Sequence, residues 1–111
     1  MRVLITGLTG FVGSHLAEYS LSRGAKIHGS IKWRSKTDNI DHLRDKINLV
    51  ECDLRDPSSA NVLIREAQPD VVFHLAAQSF VPTSWHAPGE TLSNNILCEV
   101  NLFEAIRTCG I

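Results

Sequence analysis

The stretch Thr6-Gly7-Leu8-Thr9-Gly10-Phe11-Val12-Gly13 decides the fold. It follows a β-branched run, Arg2 to Thr6, and precedes a segment whose apolar residues recur at helical spacing. Three glycines in this register between a strand and a helix are typical of a dinucleotide-binding βαβ unit. Gly7 would allow a tight turn, Gly10 would let the backbone approach a pyrophosphate, and Gly13 would let the helix pack closely on the sheet. A turn that serves packing alone explains one glycine but not three, so we favour the phosphate-binding interpretation.

Outward from this turn, short apolar runs alternate with amphipathic stretches, a pattern that predicts a parallel sheet with helices on both faces. The predicted strands are residues 2–6, 25–31, 47–52 and 70–75, and the predicted helices are residues 11–23, 57–67 and 90–109. A turn of helix at 41–44 and a loop at 79–89 complete the prediction. The fold class we expect is α/β, with a Rossmann-like sheet in the order 3-2-1-4.

Two of the predicted helices carry more detailed expectations. In the helix at 57–67, Asp56 would cap the N-terminus before Pro57. Its apolar face would be made by four residues, namely Ala60, Leu63, Ile64 and Ala67. In the helix at 90–109, five residues are expected to face inward, namely Leu92, Ile96, Val100, Phe103 and Ile106.

Composition excludes several classes of function. Eleven basic and twelve acidic residues give a formal net charge of −1, which supplies no field for a nucleic acid or an anionic membrane. The N-terminus lacks the pattern of a signal peptide, and no apolar run is long enough to span a bilayer, so we expect a cytoplasmic protein. The cysteines, Cys52, Cys98 and Cys109, and the five histidines form neither a disulfide framework nor a metal-ligand pattern.

The segment after the second predicted strand bears on the choice of cofactor. A site that selects the free 2′-hydroxyl of NAD usually places a carboxylate there, but none occurs before Asp38. Instead three basic residues, Lys32, Arg34 and Lys36, together with the Ser35 hydroxyl form a plausible cradle for a 2′-phosphate, with the Arg34 guanidinium forked onto it. The segment therefore favours NADP over NAD, and the alternative is a solvated basic loop.

The third and fourth predicted strands also end in candidate binding residues. Asp53, followed by Leu54, could accept a hydrogen bond from the amino group of an adenine, or it could serve as a charge near a helix N-terminus. The run Leu75-Ala76-Ala77-Gln78-Ser79 contains two small residues that would let a flat group lie against the backbone, or that simply pack. His74 is better explained as a hydrogen-bonded core histidine than as a catalyst.

Together the glycine turn, Asp53-Leu54 and the segment 75–79 resemble the extended short-chain dehydrogenase/reductase (NAD-dependent epimerase/dehydratase) family that acts on nucleotide sugars. Three segments are most similar to the GDP-mannose 4,6-dehydratases, namely Lys32 to Ser35, Ala77-Gln78-Ser79 and the ending Arg107-Thr108-Cys109-Gly110. The resemblance implies contacts to the pyrophosphate, the 2′-phosphate, the adenine, and the ribose and nicotinamide. The implied pyrophosphate contacts are Gly7, Thr9, Gly10, Phe11, Val12 and Gly13, and the implied 2′-phosphate contacts are Arg34 and Ser35. The implied adenine contacts are Asp53 and Leu54, and those to the ribose and nicotinamide are Leu75, Ala76, Ala77 and Ser79.

The resemblance also implies an activity. NADP would take a hydride from C4 of a GDP-linked sugar, water would leave across C5 and C6, and the hydride would return at C6. A GDP-4-keto-6-deoxymannose reductase, an NAD-dependent epimerase and a non-catalytic dinucleotide-binding module remain alternatives. Two departures from the dehydratase pattern are Glu90, where a tyrosine is usual, and Cys98-Glu99, where a Gly-Thr pair is usual.

The family's catalytic Tyr-x-x-x-Lys pair is not found in this sequence, in which Tyr19 is the only tyrosine. We therefore expect residues 1–111 to be the NADP-binding half of a longer enzyme, incomplete relative to the full family fold and inactive alone. The family also implies a homo-oligomer, in which the segment 32–41 could reach a neighbouring subunit.

Overall fold

The computed structural model describes residues 1–77 and 81–111 and alternates strands with helices. The strands are β1 (Arg2–Thr6), β2 (Lys26–Ile31), β3 (Asn48–Glu51) and β4 (Val71–His74). The helices are α1 (Phe11–Ser22), α2 (Pro57–Ala67), α3 (Val81–His86) and α4 (Pro88–Cys109). A 3-10 helix, Asp38–Lys46, precedes β3 and extends well beyond the single turn predicted at 41–44.

All four strands are parallel and lie in the order β3-β2-β1-β4, which confirms the predicted α/β class and strand order. β1 is central, with Ile5 opposite Gly29 on one side and Phe73 on the other. The chain runs from β1 to β2 on one side and later returns to β4 on the other side. The carboxyl end of β1 is therefore the switch point at which parallel sheets of this kind open a crevice.

Successive residues of β1 point to opposite faces of the sheet, so each face builds its own core. Leu4 lies under α2 and α4 in one cluster, whose other buried members are Cys52, Leu54, Ala60, Leu63, Ile64, Ala67, Cys98, Leu102 and Ala105. Ile5 belongs to the cluster under α1 and the 3-10 helix, with Val3, Leu8, Ala17, Ile27, Ile40, Leu43 and Ile47. The predicted inner face of α2 is confirmed, because its four residues are all buried.

The start of α2 also follows the prediction. The Asp56 carboxylate accepts a hydrogen bond from the Ser58 N–H at 3.1 Å, and Pro57 occupies the first helical turn. Asp56 thus satisfies one of the N–H groups that lack an acceptor within the helix.

The predicted loop at 79–89 was wrong where the structure describes it. Residues 81–86 form α3, and α4 begins at Pro88, two residues before the predicted start. Both prolines, Pro82 and Pro88, lie in the first turn of a helix, where the missing N–H is not needed. Proline in this stretch therefore indicated helix starts rather than a loop.

The predicted inward face of α4 was also largely wrong. Leu92, Ile96, Val100 and Phe103 are 61%, 59%, 49% and 60% exposed, and only Ile106 packs partly against the core. The buried residues are instead Cys98, Asn101, Leu102 and Ala105. Apolar residues occur on both sides of α4, so periodicity does not decide which side is covered. No helix in the described part of the chain is long and apolar enough to cross a membrane.

Candidate functional site

A cavity of about 450 Å³ opens at the carboxyl ends of the strands, at the switch point beside β1. We call it the first cavity. The predicted site residues that line it are Gly7, Thr9, Gly10, Phe11, Val12, Gly13, Lys32, Ser35, Leu54, Leu75, Ala76 and Ala77. Arg34 and Asp53 are not among its lining residues, and Ser79 lies outside the described residues.

The glycine turn forms one wall of this cavity, and two of its three glycines have no room for a Cβ. Gly7 has a φ of 67°, and a Cβ on it would lie 2.9 Å from the Ala76 backbone nitrogen. A Cβ on Gly13 would overlap the Gly7 carbonyl oxygen and lie 2.9 Å from the Leu8 Cα. A Cβ on Gly10 would meet only the Gly7 oxygen, at 3.3 Å. Gly7 and Gly13 are thus required by the turn itself, whereas Gly10 leaves its backbone open to the cavity.

The first turn of α1 presents backbone N–H groups without intrahelical acceptors at this wall, because every helix begins with such groups. Gly10 is the N-cap, and no side chain caps the helix. The two apolar residues that follow, Phe11 and Val12, are 75% and 61% exposed and line the cavity. A helix N-terminus with free donors and a partial positive charge suits an anionic group such as a pyrophosphate.

A hydrogen-bond network ties β1 to the opposite wall. The Thr6 Oγ1 accepts hydrogen bonds from the N–H groups of Leu75 at 3.0 Å and Ala76 at 3.1 Å. It also lies 2.7 Å from His74 Nδ1. Because Oγ1 already accepts from these two N–H groups, the arrangement favours donation of the Thr6 proton to Nδ1, with a neutral His74 protonated on Nε2. Burial lowers the pKa of His74, in agreement with that state. The predicted hydrogen bond of His74 is confirmed, but its side chain is only half-buried and lies outside both core clusters.

The basic segment after β2 contributes two of its predicted phosphate-binding residues to the first cavity, and Arg34 and Lys36 are not among the lining residues. Lys32 and Ser35 line it, and the Ser35 hydroxyl donates to the Lys32 carbonyl at 2.7 Å. Arg34 has a φ of 61°, and its guanidinium lies 4.3 Å from the centroid of the Trp33 ring. The positive φ places the Arg34 backbone in the left-handed region, and its guanidinium makes a cation–π contact with the Trp33 ring.

Asp53 lines a second cavity of about 520 Å³, which shares Lys32 and Cys52 with the first. Its carboxylate accepts from the Arg55 side chain at both oxygens, with Nε 3.1 Å from Oδ1 and Nη2 2.9 Å from Oδ2. These hydrogen bonds hold the pKa of Asp53 below its usual value. Asp53 lies close to the start of α2 in the sequence but does not cap it, because Asp56 is the N-cap.

Sequence reasoning missed the contribution of α4 to the first cavity. Asn94 and Cys98, one helical turn apart, line it together with Ser30, Ile31 and Cys52. The sequence could have indicated Ser30, Ile31 and Cys52, because they lie at the ends of β2 and β3. Burial raises the pKa of Cys52 to about 11 and that of Cys98 in the same direction. Both thiols are therefore protonated at neutral pH and form wall rather than nucleophiles.

Among residues 1–77 and 81–111, no group of three or more histidine, cysteine, aspartate or glutamate side chains is arranged to hold a metal ion. The site thus consists of a glycine turn, a helix N-terminus and the ends of parallel strands, all meeting at the switch point of the sheet. These features define a Rossmann-like α/β protein.

The chain belongs to the GDP-mannose 4,6 dehydratase family, whose model matches residues 4–111. A GDP-mannose 4,6-dehydratase of Vibrio cholerae serotype O1 is 41% identical over 118 residues, which cover 97% of this chain and 31% of the relative. The Homo sapiens enzyme of that name is 33% identical over 118 residues, with 97% and 32% covered. The chain spans about a third of the length of these curated relatives. The expected membership of the epimerase/dehydratase group is confirmed.

Solved structures of related enzymes share the fold. The Thermus thermophilus UDP-glucose 4-epimerase in complex with NAD superposes with a TM-score of 0.88 at 35% identity, covering 100% of this chain and 35% of that one. The Stenotrophomonas maltophila UDP-glucose 4-epimerase with bound NAD and formylated UDP-arabinopyranose gives 0.89 at 26% identity, with 100% and 34% covered. The chain therefore resembles a part of nucleotide-sugar enzymes in both sequence and structure.

Proposed function

We propose that residues 1–111 bind NADP in the first cavity and supply the cofactor-binding part of a nucleotide-sugar 4,6-dehydratase. The observation that carries the proposal is the glycine turn, which forms a wall of the cavity at the N-terminus of α1. Membership of the GDP-mannose 4,6 dehydratase family supports the substrate class, a GDP-linked sugar.

In this proposal the pyrophosphate lies against the glycine turn, where backbone N–H groups of α1 donate to it. The nicotinamide and its ribose lie against Leu75, Ala76 and Ala77, and the Thr6 hydroxyl holds the backbone of Leu75 and Ala76 next to the turn. The short side chains of the two alanines leave room for a flat ring. Ser79 is proposed on the same side, by the family resemblance alone.

The 2′-phosphate is assigned to Lys32, Arg34 and Ser35. Lys32 and Ser35 already line the first cavity. Arg34 must leave its stacking position on Trp33 to reach a phosphate. An exposed cation–π contact contributes about 0.5–1 kcal/mol, whereas hydrogen bonds to charged groups contribute about 1.5–3 kcal/mol each. The exchange therefore favours the phosphate.

Bound NADP would supply hydride transfer, with a hydride leaving C4 of the sugar, water lost across C5 and C6, and the hydride returned at C6. The residues of this chain would bind and orient the dinucleotide and keep the nicotinamide against the small-residue wall. They include no Tyr-x-x-x-Lys pair to move the proton. We accordingly propose that the chain binds cofactor but does not turn over GDP-mannose by itself, and measurable turnover by the purified chain would contradict this part of the proposal.

The cofactor assignment is tested by fluorescence titration of the chain with NADPH and with NADH. We expect NADPH to bind at least tenfold more tightly, and we expect Arg34→Ala to remove most of that preference. Arg23→Ala serves as the matched control, because it removes the same charge from an exposed position at the far end of α1. Equal affinity for the two dinucleotides would overturn the 2′-phosphate assignment.

The second candidate is the cofactor-binding part of an NAD-dependent epimerase. It is favoured by the epimerase structures that contain NAD and by the position of Arg34 outside the lining of the first cavity. Tighter binding of NADH than of NADPH, unaffected by Arg34→Ala, would support it. Saturable binding of either dinucleotide by a full-length protein that is itself inactive on GDP-mannose would favour a non-catalytic module instead.

A further inference from the structure

A hydrogen bond joins the glycine turn to the 3-10 helix that follows β2, and the function proposed above gives it no role. Asn39, in the first turn of that helix, donates from Nδ2 to the Thr9 carbonyl oxygen at 3.0 Å. Thr9 lines the first cavity, whereas Asn39 does not. Asn39 therefore holds the wall of the cavity from outside.

The 3-10 helix is attached to the same part of the molecule at two further points. Ile40 and Leu8 are both fully buried in one core cluster, which joins the helix to the glycine turn. His42 Nε2 lies 3.7 Å from Glu18 Oε2, which joins the helix to α1. The start of the helix is thus fixed next to the turn, with the exposed Asn39 at its edge.

Residues 32–37 connect β2 to this helix, and we call them the strap. The strap carries the residues assigned to the 2′-phosphate. Ser35 donates to the Lys32 carbonyl from its N–H at 3.1 Å and from its hydroxyl at 2.7 Å, and Arg34 stacks on Trp33. These contacts lie within the strap, so they set its shape but not its position beside the glycine turn. Its position depends on its two ends, at β2 and at the 3-10 helix.

We propose that Asn39 is a positioning residue that fixes the far end of the strap, where it enters the 3-10 helix, to the glycine turn, and that this contact sets the preference for NADPH over NADH. The inference rests on the proposed dinucleotide function. The pyrophosphate and the 2′-phosphate belong to one ligand, so the spacing of the groups that bind them must match it. Asn39 controls that spacing, because it bonds to Thr9 of the turn and lies two residues after the strap.

Loss of the Asn39 amide should affect the strap more than the glycine turn. The turn has its own support, because the Gly10 N–H donates to the Gly7 carbonyl at 3.1 Å and Leu8 is fully buried. The far end of the strap would keep Ile40 in the core but lose its attachment to the turn. The strap would then have to be ordered when a 2′-phosphate binds, and this cost falls on NADPH alone.

The experiment measures the affinities of the unmutated chain and of Asn39→Ala for NADPH and NADH by fluorescence titration. We expect the preference for NADPH to fall about fivefold in Asn39→Ala, with the affinity for NADH changed by less than about twofold. Asparagine and alanine are both uncharged, so the substitution removes no charge from the site. A fall in preference would therefore reflect the position of the strap and not its electrostatic attraction.

Amide hydrogen exchange of the free chain distinguishes a loosened strap from a general loss of stability. The Ile40 N–H donates to the Thr37 carbonyl at 2.9 Å and reports on the far end of the strap, while the Gly10 N–H reports on the glycine turn. In Asn39→Ala we expect faster exchange at Ile40 and unchanged exchange at Gly10.

Asn48→Ala is the matched control. Asn48 is also exposed, and its Nδ2 donates to the Ile27 carbonyl oxygen at 3.5 Å, again a contact from a side-chain amide to the backbone of another element. It lies at the start of β3, at the opposite end of the strands from the first cavity. We expect it to leave the preference for NADPH and the exchange at Ile40 unchanged.

Each contrary outcome overturns a stated claim. Absence of dinucleotide binding by the unmutated chain would overturn the proposed function and this inference with it, and binding without preference would overturn the 2′-phosphate assignment and the inference. A preference that survives Asn39→Ala would leave the proposed function standing and overturn the role of Asn39. The same role would be overturned by an equal loss of affinity for both dinucleotides with faster exchange at Gly10, or by an equal effect of Asn48→Ala.

Discussion

Replacing Gly13 with alanine should destabilise the fold even though alanine is the better helix former. Gly13 lies in the first turn of α1 and is buried. The added Cβ would overlap the Gly7 carbonyl oxygen and approach the Leu8 Cα and carbonyl oxygen at 2.9 and 3.0 Å. All three are backbone atoms of the turn, so no side-chain rotation can relieve the overlap.

Two opposing effects set the magnitude. Alanine in place of glycine stabilises a helix by about 0.5–1 kcal/mol. Overpacking that displaces backbone costs about 1–3 kcal/mol. We expect a net loss of about 1–2 kcal/mol in the free energy of unfolding, and a fall in Tm of about 4–8 °C for each kcal/mol in a domain near this size.

The assay is thermal and urea unfolding followed by far-ultraviolet circular dichroism, with Gly89→Ala as the matched control. Gly89 lies in the first turn of α4, and a Cβ there meets no atom within 4 Å. Gly89→Ala should therefore stabilise the chain by up to about 1 kcal/mol. If Gly13→Ala were as stable as the unmutated chain or Gly89→Ala, the steric account of the turn would be refuted.

Three further outcomes follow from buried groups. Thr6→Val should lower the free energy of unfolding by about 2–4 kcal/mol, because it removes the hydroxyl bonded to His74 and to two N–H groups, whereas Thr6→Ser should keep most of it in urea unfolding. Burial is the main reason why the pKa values of His28 and His74 are lowered from 6.5. Their contribution to stability is therefore complete above pH 6.5 and is lost as the pH falls below it. Equal urea midpoints at pH 7.5 and 5.5 would contradict this. Iodoacetamide at pH 8 should alkylate the partly exposed Cys109 well before Cys52, whose pKa burial raises to about 11, and mass spectrometry of the peptides would show the order.

Local patterns made most of the sheet and the glycine turn predictable from sequence. The alternation of strands and helices, the turn after β1 and the Asp56-Pro57 start of α2 each depend on residues close together in the chain. Their physical causes, namely backbone freedom at glycine, fixed φ at proline and capping of free N–H groups, are local as well.

The orientation of α4 could not be predicted from the sequence, because it depends on contacts between residues that are far apart in the chain. Phe103 is 60% exposed while the neighbouring Leu102 is 2% exposed, although both are large and apolar. Which of them is buried depends on how closely α4 approaches α2, and the small Cys98 and Ala105 allow that approach. Asn94 and Cys98 consequently reach the first cavity only through tertiary packing.

The side-chain directions of Arg34 and Asp53 lay beyond sequence reasoning as well. Each has a side-chain partner within two residues, the Trp33 ring and the Arg55 guanidinium respectively. Sequence shows that such a residue follows a strand, but not which of several nearby partners it will take. The strand ends were therefore predictable as positions for binding residues, whereas their contacts required the structure.

In the proposed function the glycine turn and the segment after β4 together hold a dinucleotide. Chemical-shift mapping of the amide resonances during titration with NADP tests it most directly. We expect the largest changes at Gly7, Gly10 and Gly13 and at Leu75 to Ala77, with little change along the exposed face of α2. Saturable shifts concentrated away from the first cavity, or no shifts at millimolar NADP, would contradict the account.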